Sequence, residues 1–239
     1  MLGELLEFSV AAEALGPAVE FYRKLGFREA ATGSIVQEPY VPLSLAAITI
    51  GLRGAAGHED PVPSFVRPNL KDHLRAFKHL DLVLEFAETA DDQFHRAGFK
   101  DPNGLLVVLL EARTCAPTTP DSRIVSPLGE FLEYSLPTHS IAESTRFWDK
   151  LGLRRIAGGE TPQPWCRVQG RGLTLGFYAG YRFRPGLSFV CDNAAARLAY
   201  LEVNGCRVAR NPSFALPARE IVTLSAPTHP IYLAVPASA

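Results

Sequence analysis

LGELLEFSV (Leu2–Val10) returns as LGEFLEYSL (Leu128–Leu136), and FYRKLGFR (Phe21–Arg28) returns as FWDKLGLR (Phe147–Arg154). The two stretches belong to one ungapped alignment of Leu2–Gly33 with Leu128–Gly159, in which thirteen positions are identical. Roughly two would be expected from average composition. A unit repeated over that length means that the chain is built by internal symmetry, and symmetric halves often enclose concave sites.

Within the repeat the local structure is legible. Leu6, Phe8 and Val10 alternate with Glu7 and Ser9. Leu132, Tyr134 and Leu136 alternate with Glu133 and Ser135 in the same way. That is the period of a strand with one apolar and one polar face. Ala18, Phe21, Tyr22 and Leu25 then recur at helical spacing, as do Ser144, Phe147, Trp148 and Leu151. Pro17 suits a first helical turn, and Ser140-Ile-Ala-Glu143 reads as a capping box. Gly26 and Gly152 stand where a left-handed residue ends a helix.

Further along, ITIGL (Ile48–Leu52) matches LTLGF (Leu173–Phe177), so each reads as the closing strand of one module. A second strand–helix pair is expected in each half. HLDLVL (His79–Leu84) leads through Thr89–Asp92 toward Gly98, and GLSFV (Gly186–Val190) leads through Asp192 and Asn193 toward Gly205. Last strands are expected at Leu105–Leu110 and Ile231–Val235. The expected class is α+β, with four βαβββ modules in tandem. The second is shortened, because few residues separate Phe99 from Leu105. The proline-rich stretch Gly54–Ala76 reads as a long loop of the kind that carries function. Residues 1–113 and 128–239 form the two expected domains, and 114–127 the linker.

Composition narrows the function. The chain has 239 residues, 47% hydrophobic and 21% charged, with a formal net charge of −1. No basic stripe points to nucleic acid or an anionic membrane, and no apolar run is long enough to span a bilayer. The N-terminus carries acids rather than the basic segment of an export signal. Cys115, Cys166, Cys191 and Cys206 form no CxxC pair, so free thiols in a cytoplasmic protein are expected. Phosphate-loop and nucleophile-elbow signatures are missing from the sequence. Fusion of two units in one chain removes the need for a homodimer, so a monomer is expected and a homodimer stays open.

The strand–helix units closing on FYRKLGF (Phe21–Phe27) and FWDKLGL (Phe147–Leu153) resemble the vicinal oxygen chelate superfamily. So do AGF (Ala97–Phe99), NGC (Asn204–Cys206) and the DPNG turn (Asp101–Gly104). That superfamily holds glyoxalase I, bleomycin and fosfomycin resistance proteins and extradiol ring-cleaving dioxygenases. The resemblance implies two glyoxalase-like domains, each with paired modules whose curved sheets make a cup. It also implies metal ligands on the first and closing strands of each module. Carried over, the first-strand positions are Glu7, His79, Glu133 and Gly186. The closing-strand carboxylate falls on Val108 and at or near Tyr232, neither of which can ionise as a carboxylate. The closing strands of modules one and three offer Thr49 or Gly51, and Thr174 or Gly176.

A catalytic divalent ion takes three protein ligands and an open position, and an oxygenase iron wants two histidines and a carboxylate. Glu7, His79 and Glu133 do not reach that count in either cup, whichever modules pair. Glu111 could join only through a change of strand register. The expectation is a protein that binds a small organic molecule in a sheet-lined cup through Glu7, His79 and Glu133, with no cofactor. The alternative is a lyase, isomerase or dioxygenase using one Fe, Mn, Ni or Zn ion. Tyr178, Tyr181 and Phe183 form an aromatic run that reads as core before pocket lining.

Overall fold

A computed structural model of the chain describes residues 2–30, 39–46, 48–54, 59–112, 126–210, 214–217 and 219–237. Of the expected linker, 114–127, residues 114–125 lie outside the described residues, and so does Cys115. No described helix is long and apolar enough to cross a membrane.

The first half runs β1 (Glu4–Ala11), α1 (Leu15–Lys24), β2 (Arg28–Glu29), β3 (Tyr40–Leu45) and β4 (Ile48–Arg53). It continues with β5 (Val62–Arg67), α2 (Leu70–Lys78), β6 (Leu84–Glu88), β7 (Arg96–Lys100) and β8 (Leu106–Glu111). The second half repeats this as β9 (Glu130–Thr138), α3 (Ile141–Lys150), β10 (Arg154–Gly159), β11 (Trp165–Gly170) and β12 (Leu173–Ala179). Then come β13 (Gly186–Val190), α4 (Ala194–Val203), β14 (Arg207–Ala209), β15 (Arg219–Ser225) and β16 (Pro230–Pro236). Each half is one eight-stranded mixed sheet, in the orders β2-β3-β4-β1-β5-β8-β7-β6 and β10-β11-β12-β9-β13-β16-β15-β14. This is an α+β fold of two paired-module domains. Modules pair within a half, through antiparallel β1–β5 and β9–β13.

The helix ends follow the sequence. The Ser140 side chain accepts the Glu143 amide at 3.2 Å and caps α3. Gly26 and Gly152 take φ of +90° and +93°, which a side chain would resist.

The second module departs from expectation. It is complete, and it begins in the proline-rich stretch that reads as a loop. Val62–Arg67 is its first strand and Leu70–Lys78 its helix, while Leu84–Glu88 and Arg96–Lys100 form a hairpin. Thr89–Asp92 lies in the hairpin connection, and Ala97-Gly-Phe99 belongs to a strand and not to a helix end. Three prolines (Pro61, Pro63, Pro68) hide the module. Proline argues against a central strand because it lacks a ladder donor, yet Pro63 sits in one, opposite Phe8. The missed signal is a second repeat: Ser64-Phe65-Val66 recurs as Ser188-Phe189-Val190.

Both halves share one apolar core, which runs from Leu2 to Val235. Phe8 meets Tyr134 edge-on at 5.4 Å, and Phe99 meets Phe147 at 6.1 Å. Each half also sends an aromatic ring from its first helix to a turn in the other. Trp148 on α3 donates its indole N–H to Asp101 at 3.1 Å, in the turn before β8. Tyr22 on α1 lies 3.3 Å from His229 Nδ1, in the turn before β16. The helices pack on this core face: Phe77 of α2 lies 6.3 Å from Phe99. The opposite face of each sheet is the cup.

Candidate functional site

Alternation along β1 and β9 puts Phe8 and Tyr134 into the core and turns Glu7 and Glu133 the other way, onto the cup face. There both carboxylates are buried, at 1% and 0% exposure. A carboxylate sealed from water must be matched by donors, and each one is. In the N-terminal half Glu7 accepts from Ser9 Oγ at 2.7 Å, from Arg53 Nη2 at 3.0 Å and from the Tyr40 hydroxyl. In the C-terminal half Glu133 accepts from Ser135 Oγ at 2.8 Å, from Arg167 Nε and from the Tyr178 hydroxyl.

A serine on the neighbouring strand completes each group. Ser64 lies 3.0 Å from Ser9, and Ser188 lies 2.7 Å from Ser135. Each carboxylate lies over a glycine: a Cβ on Gly51 would come within 2.2 Å of Glu7 Oε1, and one on Gly176 within 1.9 Å of Glu133 Oε1. Burial, and then the adjacent carboxylate, pushes the Tyr40 and Tyr178 hydroxyls well up, so both stay protonated and donate. Burial pulls the Arg167 guanidinium down, but the Glu133 carboxylate outweighs it and raises it overall.

The two clusters differ in what covers them. In the C-terminal cup Tyr178 packs against Phe214 at 4.5 Å, and Phe214 stacks on Phe183 at 4.5 Å and meets Tyr232 edge-on at 5.1 Å. With Leu216, Ile221 and Ala234 these rings form a second apolar cluster that plugs the cup. On the N-terminal cup face Ser9, Tyr40, Arg53 and Val108 are only half-buried. Of their register partners in the other half, Ser135, Tyr178 and Tyr232 are buried, and Trp165, which stands where Tyr40 does, is half-buried like it.

Of the expected site residues, Glu7 and Glu133 lie in the cups, one in each. His79 does not. It is the exposed C-cap of α2, and so sits on the core side of the sheet and not on a strand. The position paired with Glu7 is Ser64, as Ser188 is with Glu133. Val108 and Tyr232 do fall beside those serines on the closing strands. Glu111 faces away, accepting the Leu70 amide at 3.1 Å at the start of α2 and pairing with His95 at 2.7 Å. Tyr40, Arg53 and Arg167 are partners of the buried carboxylates that the sequence did not single out.

A divalent ion of the kind the superfamily implies does not fit these donors. The register positions are Glu7, Gly51, Ser64 and Val108 in one cup, and Glu133, Gly176, Ser188 and Tyr232 in the other. Each cup has one carboxylate, already engaged by arginine and tyrosine. Among the described residues no group of three or more His, Cys, Asp or Glu side chains could hold a metal.

The paired βαβββ modules bear out the expected likeness in fold to the vicinal oxygen chelate superfamily. Similar solved structures are ring-cleaving dioxygenases. A catechol 2,3-dioxygenase superimposes with a TM-score of 0.62 at 15% identity, over 100% of this chain and 90% of that one. The 2,3-dioxygenase LapB from Pseudomonas sp. KL28 gives 0.63 at 14%, over 100% and 94%. Homoprotocatechuate 2,3-dioxygenase from Arthrobacter globiformis gives 0.63 at 14%, over 98% and 80%. No protein-family model and no curated protein matches the chain. The neighbours correct one expectation: the reading of a cofactor-free protein is withdrawn, because the fold is shared with metal-dependent dioxygenases.

Proposed function

We propose that the N-terminal cup is the working site and that it takes a small organic molecule over a floor of Glu7, Tyr40, Arg53, Ser9 and Ser64. The observation that carries this reading is the contrast in cover. The same buried carboxylate cluster lies under stacked aromatic rings in one half and under a half-exposed polar face in the other. Converging polar groups of this kind fix the orientation of a ligand in a small-molecule site. Arg53 supplies a cation held over the Tyr40 ring, 5.0 Å from its centroid, so a ligand with an acceptor group would be oriented by a fixed donor. Glu133, under its plug, serves the C-terminal half as a structural anchor.

A compound screen by thermal shift tests this. Stabilising compounds are expected for the wild-type chain. They should lose their effect in Val108→Tyr, which gives the N-terminal cup the residue that helps fill the other one, and keep it in Phe214→Ala. Absence of any stabilising compound, or binding that survives Val108→Tyr and is lost in Phe214→Ala, would overturn the assignment.

The dioxygenase fold supports a second reading, metal-dependent chemistry on a vicinally oxygenated substrate. Elemental analysis of the purified chain tests it. One equivalent of Fe, Mn, Ni or Zn that disappears in Glu7→Ala would replace the first reading with this one.

A further inference from the structure

A second cleft, outside both carboxylate clusters, lies where the strap 182–184 passes the β15–β16 turn. It is a shallow cleft, open to solvent, of about 380 Å³ between Arg182, Phe183, Arg184, Ser225, His229 and Tyr232, among others. The strap is held in place. Tyr232 donates its hydroxyl to the Arg184 carbonyl at 2.7 Å, and the Arg184 guanidinium reaches Asp60 at 3.1 Å and the Glu59 carbonyl at 2.9 Å. Arg182 is exposed and has no partner among the described residues. The cleft therefore offers one guanidinium already matched by a carboxylate and one that is free.

His229 in its wall is 2% exposed, and its Nε2 has no hydrogen-bond partner. Burial, and then Arg184, pulls this imidazole down to about 3, so the ring is neutral. A neutral ring has one N–H and one bare nitrogen. Nδ1 lies 3.3 Å from the Tyr22 hydroxyl and 3.0 Å from the Thr228 hydroxyl, both of which can donate. Burial raises the Tyr22 phenol, so it keeps its proton. With Nδ1 occupied by these two hydroxyls, Nε2 is the ring atom left without a partner in the wall. A buried polar atom without a partner is costly until one reaches it.

We infer that this cleft binds a small oxyanion, with Arg182 as its free cation and His229, in the tautomer that carries its hydrogen on Nε2, as a donor from the wall. The shared chemistry is an oxygen-rich anion, phosphate or carboxylate. Because Nε2 is buried, the lining side chains must part for the anion to touch it, and the test reads that atom directly.

Inorganic phosphate and succinate would be titrated separately into the full chain by calorimetry, with the imidazole nitrogens followed by NMR. Binding of either probe is expected, with Nε2 resonating as a protonated nitrogen and shifting on addition; which probe binds names the anion's source. Arg182→Ala should weaken binding about tenfold or more, the loss of a charge-assisted hydrogen bond. Arg146→Ala, an exposed arginine on α3, should leave it unchanged. The inference fails if neither anion binds, if both variants weaken binding equally, or if the Nε2 resonance does not move. All of these readouts are independent of the N-terminal cup.

Discussion

The two halves solve the same electrostatic problem with different residues. Both bury a glutamate over a glycine beside a serine pair, and both surround it with one arginine and one tyrosine. Yet the arginine and tyrosine have changed places. In the N-terminal half the tyrosine stands on β3 and the arginine on β4; in the C-terminal half the arginine stands on β11 and the tyrosine on β12. Tyr40 faces Arg53 across its ladder, where the other half has Trp165 facing Tyr178, and Arg167 takes the position of Pro42 opposite the glycine. What persisted through divergence is the set of donors that a buried carboxylate demands, and the strands supplying them were free to change.

Cover then decides how much each donor matters. Arg167→Met leaves Glu133 under its aromatic plug without a cation, and about 3–5 kcal/mol of destabilisation is expected, as for any buried pair cut on one side. Arg53→Met should cost about 1–2 kcal/mol, because Arg53 and Tyr40 are half-exposed and water can take the place of the lost guanidinium beside Glu7. Urea unfolding of both variants checks this; equal costs would mean that the two cups are equally dry. The glycines give a smaller contrast of the same sign. Gly176→Ala and Gly51→Ala each force a carboxylate aside, at about 1–3 kcal/mol. The larger value is expected at Gly176, where the plug leaves the carboxylate no room to move. Melting temperatures would rank them.

The exchanged aromatics come next. Trp148→Phe removes a donor from the buried Asp101, and about 1–2 kcal/mol is expected. Tyr22→Phe removes a hydroxyl that shares its partners with Thr228, and about 1 kcal/mol or less is expected. If Tyr22→Phe proved the costlier, the Tyr22 hydroxyl rather than Thr228 would be the main partner of His229 Nδ1.

The strand carrying each glutamate, the helix behind it and the closing strands with Gly51 and Gly176 were legible because the repeat preserves them in sequence. The donors were not, because sheet neighbours 33 and 46 residues away from Glu7 bring Tyr40 and Arg53 to it. Their exchange between halves erased the repeat at those positions. Ser64 was readable in principle through the Ser-Phe-Val repeat, but three prolines masked its strand, and the alternating Leu80, Leu82 and Leu84 imitated one beside His79. The plug was least legible of all. Phe214 reaches the cup from the β14–β15 connection, and in the sequence nothing distinguishes it from any other loop aromatic.

The two interdomain turns allow the last comparison, since their buried groups pull stability in opposite directions with pH. Burial holds the Asp101 carboxyl above its ordinary value despite four hydrogen bonds. The folded state therefore binds that proton more readily than the unfolded chain, and stability from this group rises as pH falls through its raised value toward 3.8. His229 runs the other way. Its folded value is about 3 against 6.5 unfolded, so only the unfolded chain takes up the proton, and stability is lost as pH falls from 6.5 toward 3. Between pH 7 and 5.5 the His229 contribution to that loss should be about 1 kcal/mol. His229→Phe should lose that much less stability over the same interval, and Asp101→Asn should lose slightly more than wild type if the Asp101 value reaches into it. Urea midpoints at the two pH values measure both. A His229→Phe variant with the wild-type slope would show that the ring is reached by water and titrates in the folded protein.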